Sequence, residues 1–347
     1  MRLVNSLAIT ILAIILFSCN GSNKGTSSHF SLQIEGKKKS FQENDTLIPA
    51  LKTPNSSLLS KVEYSIDGTV LPSDGKTVVL QHVKLGKQQL KASFVYDGTS
   101  ESITHPIEIF AEKAPEVYTY TILKEYPHDR NAYTQGLEFL NDTLYESIGQ
   151  RGKSALRKVD YRTGEILKET KLSDIYFGEG ITILNNRIYQ LTWEENVGFI
   201  YDLHTLEKTG QFSYQQSREG WGLCTDGTQF YKSDGTEKIW TLDANTLEEK
   251  EYIQLASNKA LFSRANELEW VDGLIYANTY GKDGIMIINP KNGAIVGVID
   301  CRGLKEKVTQ HPYIDVLNGI AYHPERKTFF ITGKNWDKLF EVTFHKK

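Results

Sequence analysis

The residue with the most evident chemistry in this chain is Glu179, a glutamate set among aromatic residues. It begins one of five similar phrases, and aromatic rings stand two positions before it, at Phe177, and two positions before the equivalent Gln135, at Tyr133. A carboxyl group among rings loses hydration, which raises its pKa and suits it to general acid and base catalysis near neutral pH. We therefore predict that Glu179 transfers protons, and a salt bridge to Lys334 is the structural alternative.

Other polar and aromatic residues hold related positions in the repeated phrases. The five leading residues are Gln135, Glu179, Trp221, Asn266 and Asn318. Further rings and an amine follow the first strand pairs, at Trp193, Tyr280, Lys334 and Trp336. Taken singly, such rings pack between strands and such amides cap local backbone. Together they predict an aromatic-lined pocket for a small ligand, with one carboxylate, several amides and one amine.

The five phrases recur with a period that identifies the elements around them. Their leading residues are 44, 42, 45 and 52 residues apart, which is the range of β-propeller blades. Each phrase reads as two apolar strands around an Asn-, Asp- or Gly-containing turn, and a second strand pair follows it. Residues 116–347 are therefore predicted to form a five-bladed β-propeller, whose inner strands bring the leading residues together at the central channel.

The last repeat is one strand short, because the chain stops soon after the strand at 339–344. Residues 118–126, just before the first phrase, alternate between apolar and polar side chains and are predicted to supply the missing strand. Such pairing would close the ring and cover an exposed sheet edge.

The segment before the repeats has a different pattern. Residues 29–112 contain short alternating runs separated by Asp-Gly pairs, which predicts a small immunoglobulin-like β-sandwich. It carries no visible chemistry, so we interpret it as a spacer or accessory module. The boundary between the two predicted domains lies near residues 112–115.

The first residues resemble an export signal. Residues 1–19 contain a basic residue, a short apolar run and the sequence Leu-Phe-Ser-Cys, which resembles a bacterial lipobox ending at Cys19. A polar tether, residues 20–28, would follow the lipidated cysteine. We therefore expect a lipid anchor on a bacterial membrane that faces the periplasm or the cell exterior; a simple cleaved signal is the alternative.

Composition excludes several classes of function. A net charge of −3 and an isoelectric point near 6.3 give no basic surface for nucleic acid. No nucleotide-binding glycine loop, nucleophile elbow or metal-ligand spacing is present in the sequence, so no cofactor and no metal are predicted. Cys224 and Cys301 are expected to be buried free thiols rather than a disulfide. A monomer is the default expectation.

Eight ordered motifs in residues 118–345 resemble the plant and bacterial glutamine cyclotransferase family. The motifs are, in order, Tyr133-Thr-Gln-Gly-Leu, Phe177-Gly-Glu-Gly-Ile-Thr, Leu191-Thr-Trp, Gly220-Trp-Gly-Leu, Ser233-Asp-Gly-Thr, Asn266-Glu-Leu-Glu, Leu317-Asn-Gly-Ile-Ala and Thr332-Gly-Lys-Asn-Trp. The resemblance implies a five-bladed propeller that converts the N-terminal glutamine of peptides or proteins to pyroglutamate without a metal and releases ammonia.

The resemblance also assigns roles to residues of this chain. The family's catalytic glutamate falls on Glu179, and its substrate-binding residues fall on Tyr133, Gln135, Phe177, Trp193, Trp221, Asn266 and Lys334. Two residues depart from the family pattern: Tyr133 stands where phenylalanine is common, and Tyr280 stands where tryptophan is usual. The second change is expected to alter how tightly substrate is held.

The predicted reaction is an attack by the neutral α-amine on the γ-carboxamide carbon of the same glutamine, with Glu179 moving the protons. Lys334, Gln135 and Asn266 are alternative donors to the developing oxyanion. The rival hypothesis is a non-catalytic, lipid-anchored propeller that binds a peptide or a glycan through the same rings.

Overall fold

The protein is built almost entirely from β-strands. The computed structural model describes residues 29–347, where the only helices are single 3-10 turns at Glu35–Lys37, Ser56–Leu58 and Lys305–Lys307. No helix in this described range is long and apolar enough to cross a membrane. The predicted all-β class is confirmed. The predicted signal sequence, tether and lipidated Cys19 lie outside the described residues.

The N-terminal segment, residues 29–112, forms three small sheets around one core. Its strands are β1 (Ser31–Ile34), β2 (Ser40–Gln42), β3 (Thr46–Leu47), β4 (Pro49–Lys52), β5 (Leu59–Ile66), β6 (Thr69–Val70), β7 (Val78–Val79), β8 (Gly86–Tyr96) and β9 (Thr99–Phe110). The largest sheet has the order β2-β9-β8-β5-β6, and β1-β4 and β3-β7 form two more pairs. Only the β2–β9 ladder is parallel in this segment. Leu80, Leu90 and Ile109 are fully buried between these sheets.

The rest of the chain forms repeated antiparallel sheets. Its strands are β10 (Glu116–Pro127), β11 (Thr134–Leu140), β12 (Thr143–Ile148), β13 (Ala155–Asp160), β14 (Glu165–Lys171), β15 (Gly178–Leu184), β16 (Arg187–Thr192), β17 (Val197–Asp202), β18 (Lys208–Ser213), β19 (Leu223–Thr225), β20 (Gln229–Ser233), β21 (Lys238–Asp243), β22 (Glu249–Gln254), β23 (Ala265–Val271), β24 (Leu274–Thr279), β25 (Gly284–Ile288), β26 (Ile295–Asp300), β27 (Leu317–His323), β28 (Thr328–Gly333) and β29 (Lys338–Lys346).

These strands group into three four-stranded sheets and one eight-stranded sheet. The four-stranded sheets are β11-β12-β13-β14, β15-β16-β17-β18 and β19-β20-β21-β22, and the eight-stranded sheet has the order β23-β24-β25-β26-β10-β29-β28-β27. The first strands of the repeats touch in cyclic order, β11 with β15, β15 with β19, β19 with β23, β23 with β27, and β27 with β11. The sheets are therefore arranged in a closed ring around their first strands.

Strand β10 joins the beginning of the ring to its end. It pairs antiparallel with β29 and parallel with β26, so the strand predicted at residues 118–126 does complete the last sheet. Because this strand precedes β11 in sequence but pairs with the final repeat, the ring is closed by hydrogen bonds between segments far apart in the chain.

Glycine after a leading residue lets neighbouring first strands approach backbone to backbone. A Cβ at Gly180 would lie 2.6 Å from the carbonyl oxygen of Trp221, and one at Gly222 would lie 2.0 Å from that of Asn266. A side chain cannot fit at either distance, so these positions require glycine. Glu267 holds the equivalent position in the fourth repeat, where its side chain is 1% exposed.

The N-terminal segment packs against the third and fourth repeats. The side chain of Gln254 accepts a hydrogen bond from the backbone N–H of Lys87, and Lys84 forms a salt bridge with Glu251. Ala256 and Ala294 extend the segment's apolar core. These contacts place the segment on the outer side of the ring, away from the first strands.

Both cysteines in the described part of the chain are free and buried. Cys224 lies in β19, and Cys301 follows β26. The expectation of buried free thiols is confirmed for both residues.

Candidate active site

The structure brings nine of the sequence-predicted side chains around one cavity of about 250 Å³, which we call the mouth cavity. Its lining residues are Tyr133, Gln135, Phe177, Glu179, Trp193, Trp221, Asn266, Tyr280 and Lys334. They come from the first strands of three repeats, from the loops that enter the first strands and from the turns after the second strands. Closure of the ring is therefore what gathers residues spread over 200 positions of sequence.

Two groups of aromatic rings form the wall of the mouth cavity. Phe177 lies between Tyr133 and Trp193, with edge-to-face centroid distances of 6.2 and 5.6 Å. On the other side, Trp221 and Tyr280 meet edge to face at 5.5 Å. Edge-to-face packing of this kind fixes ring orientation and leaves ring faces open to a ligand.

A carboxylate and an ammonium group connect the two aromatic groups. Oε2 of Glu219 accepts hydrogen bonds from the indole nitrogens of Trp193, at 2.6 Å, and of Trp221, at 2.7 Å. The Lys334 ammonium lies 4.7 Å from the ring centroid of Tyr133 and 5.3 Å from that of Tyr280. The rings, Glu219 and Lys334 thus form a continuous belt whose parts hold one another in place.

Glu179 is buried at the base of this belt. Its side chain is 4% exposed, and Oε1 accepts a 2.9 Å hydrogen bond from the amide nitrogen of Gln135. Burial raises its pKa well above the ordinary value; the charge of Lys334 opposes that shift, and the charge of Glu219 adds to it. A carboxyl group of this kind is a proton donor or acceptor near neutral pH.

Lys334 is the second titratable group in the mouth cavity. It is 3% exposed, and burial lowers the pKa of its ammonium while the charges of Glu179 and Asp315 oppose the shift. Glu179 and Lys334 are close enough to affect each other's pKa, but they do not form a salt bridge. The structural alternative for Glu179, a salt bridge to Lys334, is thus not what the structure contains.

Amide side chains fix the orientation of the groups beside Glu179. Nδ2 of Asn318 donates to Oε1 of Gln135 at 3.0 Å and to the carbonyl oxygen of Thr134 at 2.9 Å. This contact determines that the nitrogen of Gln135, rather than its oxygen, faces Glu179. Oδ1 of Asn266 is buried without a hydrogen-bond partner in the described residues, so a ligand donor in the cavity would satisfy an otherwise costly group.

Two residues grouped with the pocket from sequence lie elsewhere. Asn318 contacts the pocket only through Gln135. Trp336 is 1% exposed, and it packs against Phe340 in the core while its indole nitrogen donates to the carbonyl oxygen of Asp315. The prediction that Trp336 lines the pocket was wrong, because its ring is buried in an apolar core cluster where a backbone carbonyl satisfies its indole nitrogen.

Glu219 is the residue of this site that the sequence prediction missed. Its place in the repeat was a usable signal, because it stands two positions before Trp221, as Phe177 does before Glu179. Its backbone carbonyl accepts a 2.8 Å hydrogen bond from the buried ammonium of Lys232, which also pairs with Glu249 at 3.2 Å. A fixed charge pair therefore anchors the strand entry that carries Glu219.

Within residues 29–347, no group of three or more His, Cys, Asp or Glu side chains is placed to hold a metal ion. The mouth cavity itself contributes one carboxylate, one amine and two amides.

Comparisons with known proteins identify the family to which the chain belongs. Residues 92–344 match the family model for glutamine cyclotransferase, so the match begins inside β8, earlier than the expected residue 118. An Arabidopsis thaliana protein named glutaminyl-peptide cyclotransferase is 41% identical over 224 residues, which are 64% of this chain and 70% of that protein.

A solved structure extends the likeness to the fold. The crystal structure of Myxococcus xanthus glutaminyl cyclase aligns with a TM-score of 0.63 and 32% sequence identity, over 67% of this chain and 99% of that one. The family match covers most of the chain, including every residue that lines the mouth cavity. On these grounds, together with the motifs that the cavity residues carry, this chain belongs to the glutamine cyclotransferase family.

Proposed function

We propose that this enzyme converts the N-terminal glutamine of peptides or proteins to pyroglutamate and releases ammonia, with Glu179 as the proton-transfer group and without a metal ion. The observation that carries the proposal is the pairing of a buried, high-pKa carboxyl with a buried ammonium in one cavity of about 250 Å³. Such a cavity fits one amino-acid side chain folded back on its own amine.

The first step is attack by the neutral α-amine on the γ-carboxamide carbon. A C–N bond forms, the carbonyl oxygen becomes an oxyanion, and Glu179 takes the proton that the amine loses. Glu179 then gives that proton to the amide nitrogen, the C–N bond to this nitrogen breaks, and ammonia leaves behind a five-membered lactam. A raised pKa suits Glu179 to both halves of this transfer.

Lys334 is the favoured donor to the oxyanion. Its ammonium is held by the faces of Tyr133 and Tyr280 and makes no side-chain hydrogen bond to another described residue. The nitrogen of Gln135 already donates to Glu179. Asn266 lines the cavity and its side-chain oxygen has no partner among the described residues, which suits it to accept from the α-amine or the carboxamide of the substrate.

The aromatic belt holds the glutamine in its cyclic conformation. Rings that are fixed by Glu219 and by Lys334 leave little freedom to a side chain between them. The same rings exclude water, which would otherwise hydrolyse the carboxamide to glutamate. Tyr280, which is 37% exposed at the rim, is the ring that controls how tightly substrate is held.

The arrangement of sheets also supports the finer fold prediction. Five sets of four strands whose first strands touch in a closed cycle support a five-bladed propeller over residues 116–347. Three sheets around one apolar core support an immunoglobulin-like sandwich over residues 29–112. Limited proteolysis that releases these two fragments intact would support the proposed boundary near residues 112–115.

A lipid anchor at Cys19 is a separate proposal that rests on the sequence pattern alone. The full chain expressed in a bacterium should fractionate with membranes and should incorporate labelled palmitate. Cys19→Ser should abolish both, whereas a soluble wild-type protein without label would rule the anchor out.

The test of activity is ammonia release from Gln-Ala-NH₂ by residues 29–347, with Asn-Ala-NH₂ as the matched control. Release from the glutamine peptide alone, with the mass change of a lost ammonia and full activity in chelator, is the expected result. Loss of activity in chelator that zinc or another metal restores would overturn metal independence. Tight peptide binding without turnover would instead favour the non-catalytic alternative.

A further inference from the structure

A second cavity, of about 440 Å³, lies beside the mouth cavity. It is lined by two cations, Arg130 and Lys153, by the amides of Asn131, Gln150 and Asn335, and by the rings of His311 and Tyr313. None of these residues lines the mouth cavity or takes part in the proposed reaction.

The same loops build both cavities. Asn131 is two residues before Tyr133, and Asn335 directly follows Lys334. The N–H of Asn335 donates to the carbonyl oxygen of Ala132 at 2.7 Å, which ties the two loops together. Residues that line the two cavities are therefore neighbours in the same loops, so a chain that leaves the mouth cavity on the side of Asn131 and Asn335 would meet the second cavity.

The two cations of the second cavity have no acidic partner. Arg130 and Lys153 are exposed, and neither forms a salt bridge with another residue of the described range 29–347. Asp129 pairs with Arg157 and Asp315 accepts from Tyr133, while Asp174, whose side chain lies near Gly152, forms no salt bridge with either cation. This cavity thus presents uncompensated positive charge in a chain whose net charge is −3.

The remaining lining groups are held in fixed positions. Nε2 of His311 donates to the carbonyl oxygen of Asn335, and Nδ1 accepts from the N–H of Tyr313, so both ring nitrogens are engaged. Gln150 and Asn335 both have left-handed backbone, with φ of 84° and 61°, a conformation that is costly for a residue such as glutamine. Tyr313 is 80% exposed, so its ring is available to a ligand.

We propose that the second cavity binds a carboxylate carried by the substrate downstream of its N-terminal glutamine, either an acidic side chain or a free C-terminal carboxylate. This inference rests on the proposed function of the mouth cavity. With the glutamine side chain and amine inside, the peptide leaves through the rim, and each further residue reaches about 3.5 Å. Residues two to four of the substrate therefore pass over Arg130 and Lys153.

The test compares matched amidated tetrapeptides with N-terminal glutamine, alanine elsewhere, and either glutamate or glutamine at position two, three or four. We expect the glutamate peptide to be favoured in kcat/KM by about fivefold at one of these positions, as for partly solvated ion pairs. A second arm compares Gln-Ala-Ala as free acid and as amide, which separates a terminal carboxylate from a side chain.

Variants locate the preference. Arg130→Gln combined with Lys153→Gln should reduce the glutamate-to-glutamine ratio to within about twofold of one. Lys282→Gln is the matched control for each single variant, Arg130→Gln or Lys153→Gln, because it also removes one exposed charge, from the loop that follows Tyr280 at the mouth, without touching the second cavity. It should retain the wild-type ratio, which excludes a general effect of net charge on association.

Two results would overturn the inference: a wild-type ratio near one at every position and for the free acid, or a wild-type preference that survives in the double variant. Failure of the proposed function has a different signature, since then no glutamine peptide, neutral or acidic, would release ammonia. In that case the ratio of dissociation constants for the glutamate and glutamine peptides replaces the ratio of kcat/KM. This measurement still shows whether the second cavity binds a carboxylate.

Discussion

Carboxyl groups with raised pKa occur at two levels of the ring, and both levels border a cavity: Glu179 lines the aromatic mouth cavity, whereas half-buried Glu138 and buried Glu269 line another cavity of about 210 Å³. Glu179 lies at the start of β15, whereas Glu138, Glu267 and Glu269 lie further along the first strands; we call these three the carboxylate cluster. Burial raises the pKa of every one of them, and that of Glu138 reaches about 8. A perturbed pKa therefore does not by itself distinguish a catalytic group from a structural one.

Their hydrogen bonds make the distinction. Glu267 accepts from the N–H of Leu137 at 3.2 Å and of Ile320 at 2.9 Å, so it joins β23 to β11 and to β27. Glu179 instead accepts one bond from the side chain of Gln135 and borders the mouth cavity. Glu267 accepts hydrogen bonds from the backbone of two other strands and therefore stabilises the fold. Glu179 has free acceptor capacity beside the mouth cavity and is therefore available to a substrate.

The sharpest test of this comparison is Glu179→Gln beside Glu267→Gln. We expect Glu179→Gln to lower turnover by at least several hundredfold, because the variant cannot move the proton, with little change in melting temperature. Glu267→Gln should keep wild-type turnover per folded molecule. Both are measured as ammonia release and thermal unfolding; near-normal turnover in Glu179→Gln would remove this residue from the mechanism.

Replacement of the second titratable group should have the next largest effect. Lys334→Met keeps the apolar stem between Tyr133 and Tyr280 but removes the ammonium. If Lys334 stabilises the oxyanion, kcat should fall by about a hundredfold, since loss of one such donor costs about 10²–10³. A raised KM with unchanged kcat would show instead that Lys334 only holds the ground state.

Stability should respond to pH through the carboxylate cluster. Because folding raises these pKa values, the folded state binds more protons than the unfolded state, and stability falls as pH rises above the ordinary value of 4.5. Glu267→Gln leaves one backbone donor unpaired, which costs about 1–3 kcal/mol. That cost should be largest near pH 5 and smaller near pH 8 in urea unfolding, and a cost that does not change with pH would refute the assigned direction.

The smallest predicted effect concerns Glu219, which acts on Glu179 from a distance. Its negative charge raises the pKa of Glu179, so Glu219→Gln should move the acidic limb of the kcat profile to lower pH by less than about one unit. Glutamine still offers an oxygen to both indoles, whereas Glu219→Ala does not and should also raise KM. An unmoved acidic limb in Glu219→Gln would restrict Glu219 to positioning Trp193 and Trp221.

Most residues of the site could be predicted from the repeated phrases of the sequence. The phrase beginning at Glu179 and the four like it predicted which residues would meet, because equivalent positions in successive repeats of a closed ring are equivalent in space. The same register predicted the strand at 118–126 that completes the last sheet, and the structure contains it. Glu219 stands two positions before Trp221, as Phe177 does before Glu179, but the sequence prediction did not include it.

The all-β class, the repeat period, and the carboxylate, amine and rings of the mouth cavity can therefore be predicted from the amino-acid sequence alone. How these groups are used depends on the folded ring. Trp336 packs in the core rather than at the pocket, Gln135 offers nitrogen rather than oxygen because Asn318 fixes it, and Glu267 joins strands rather than facing substrate. The reason is physical: side-chain orientation and hydrogen-bond partners depend on neighbours from other repeats, and those neighbours are set only when the ring closes.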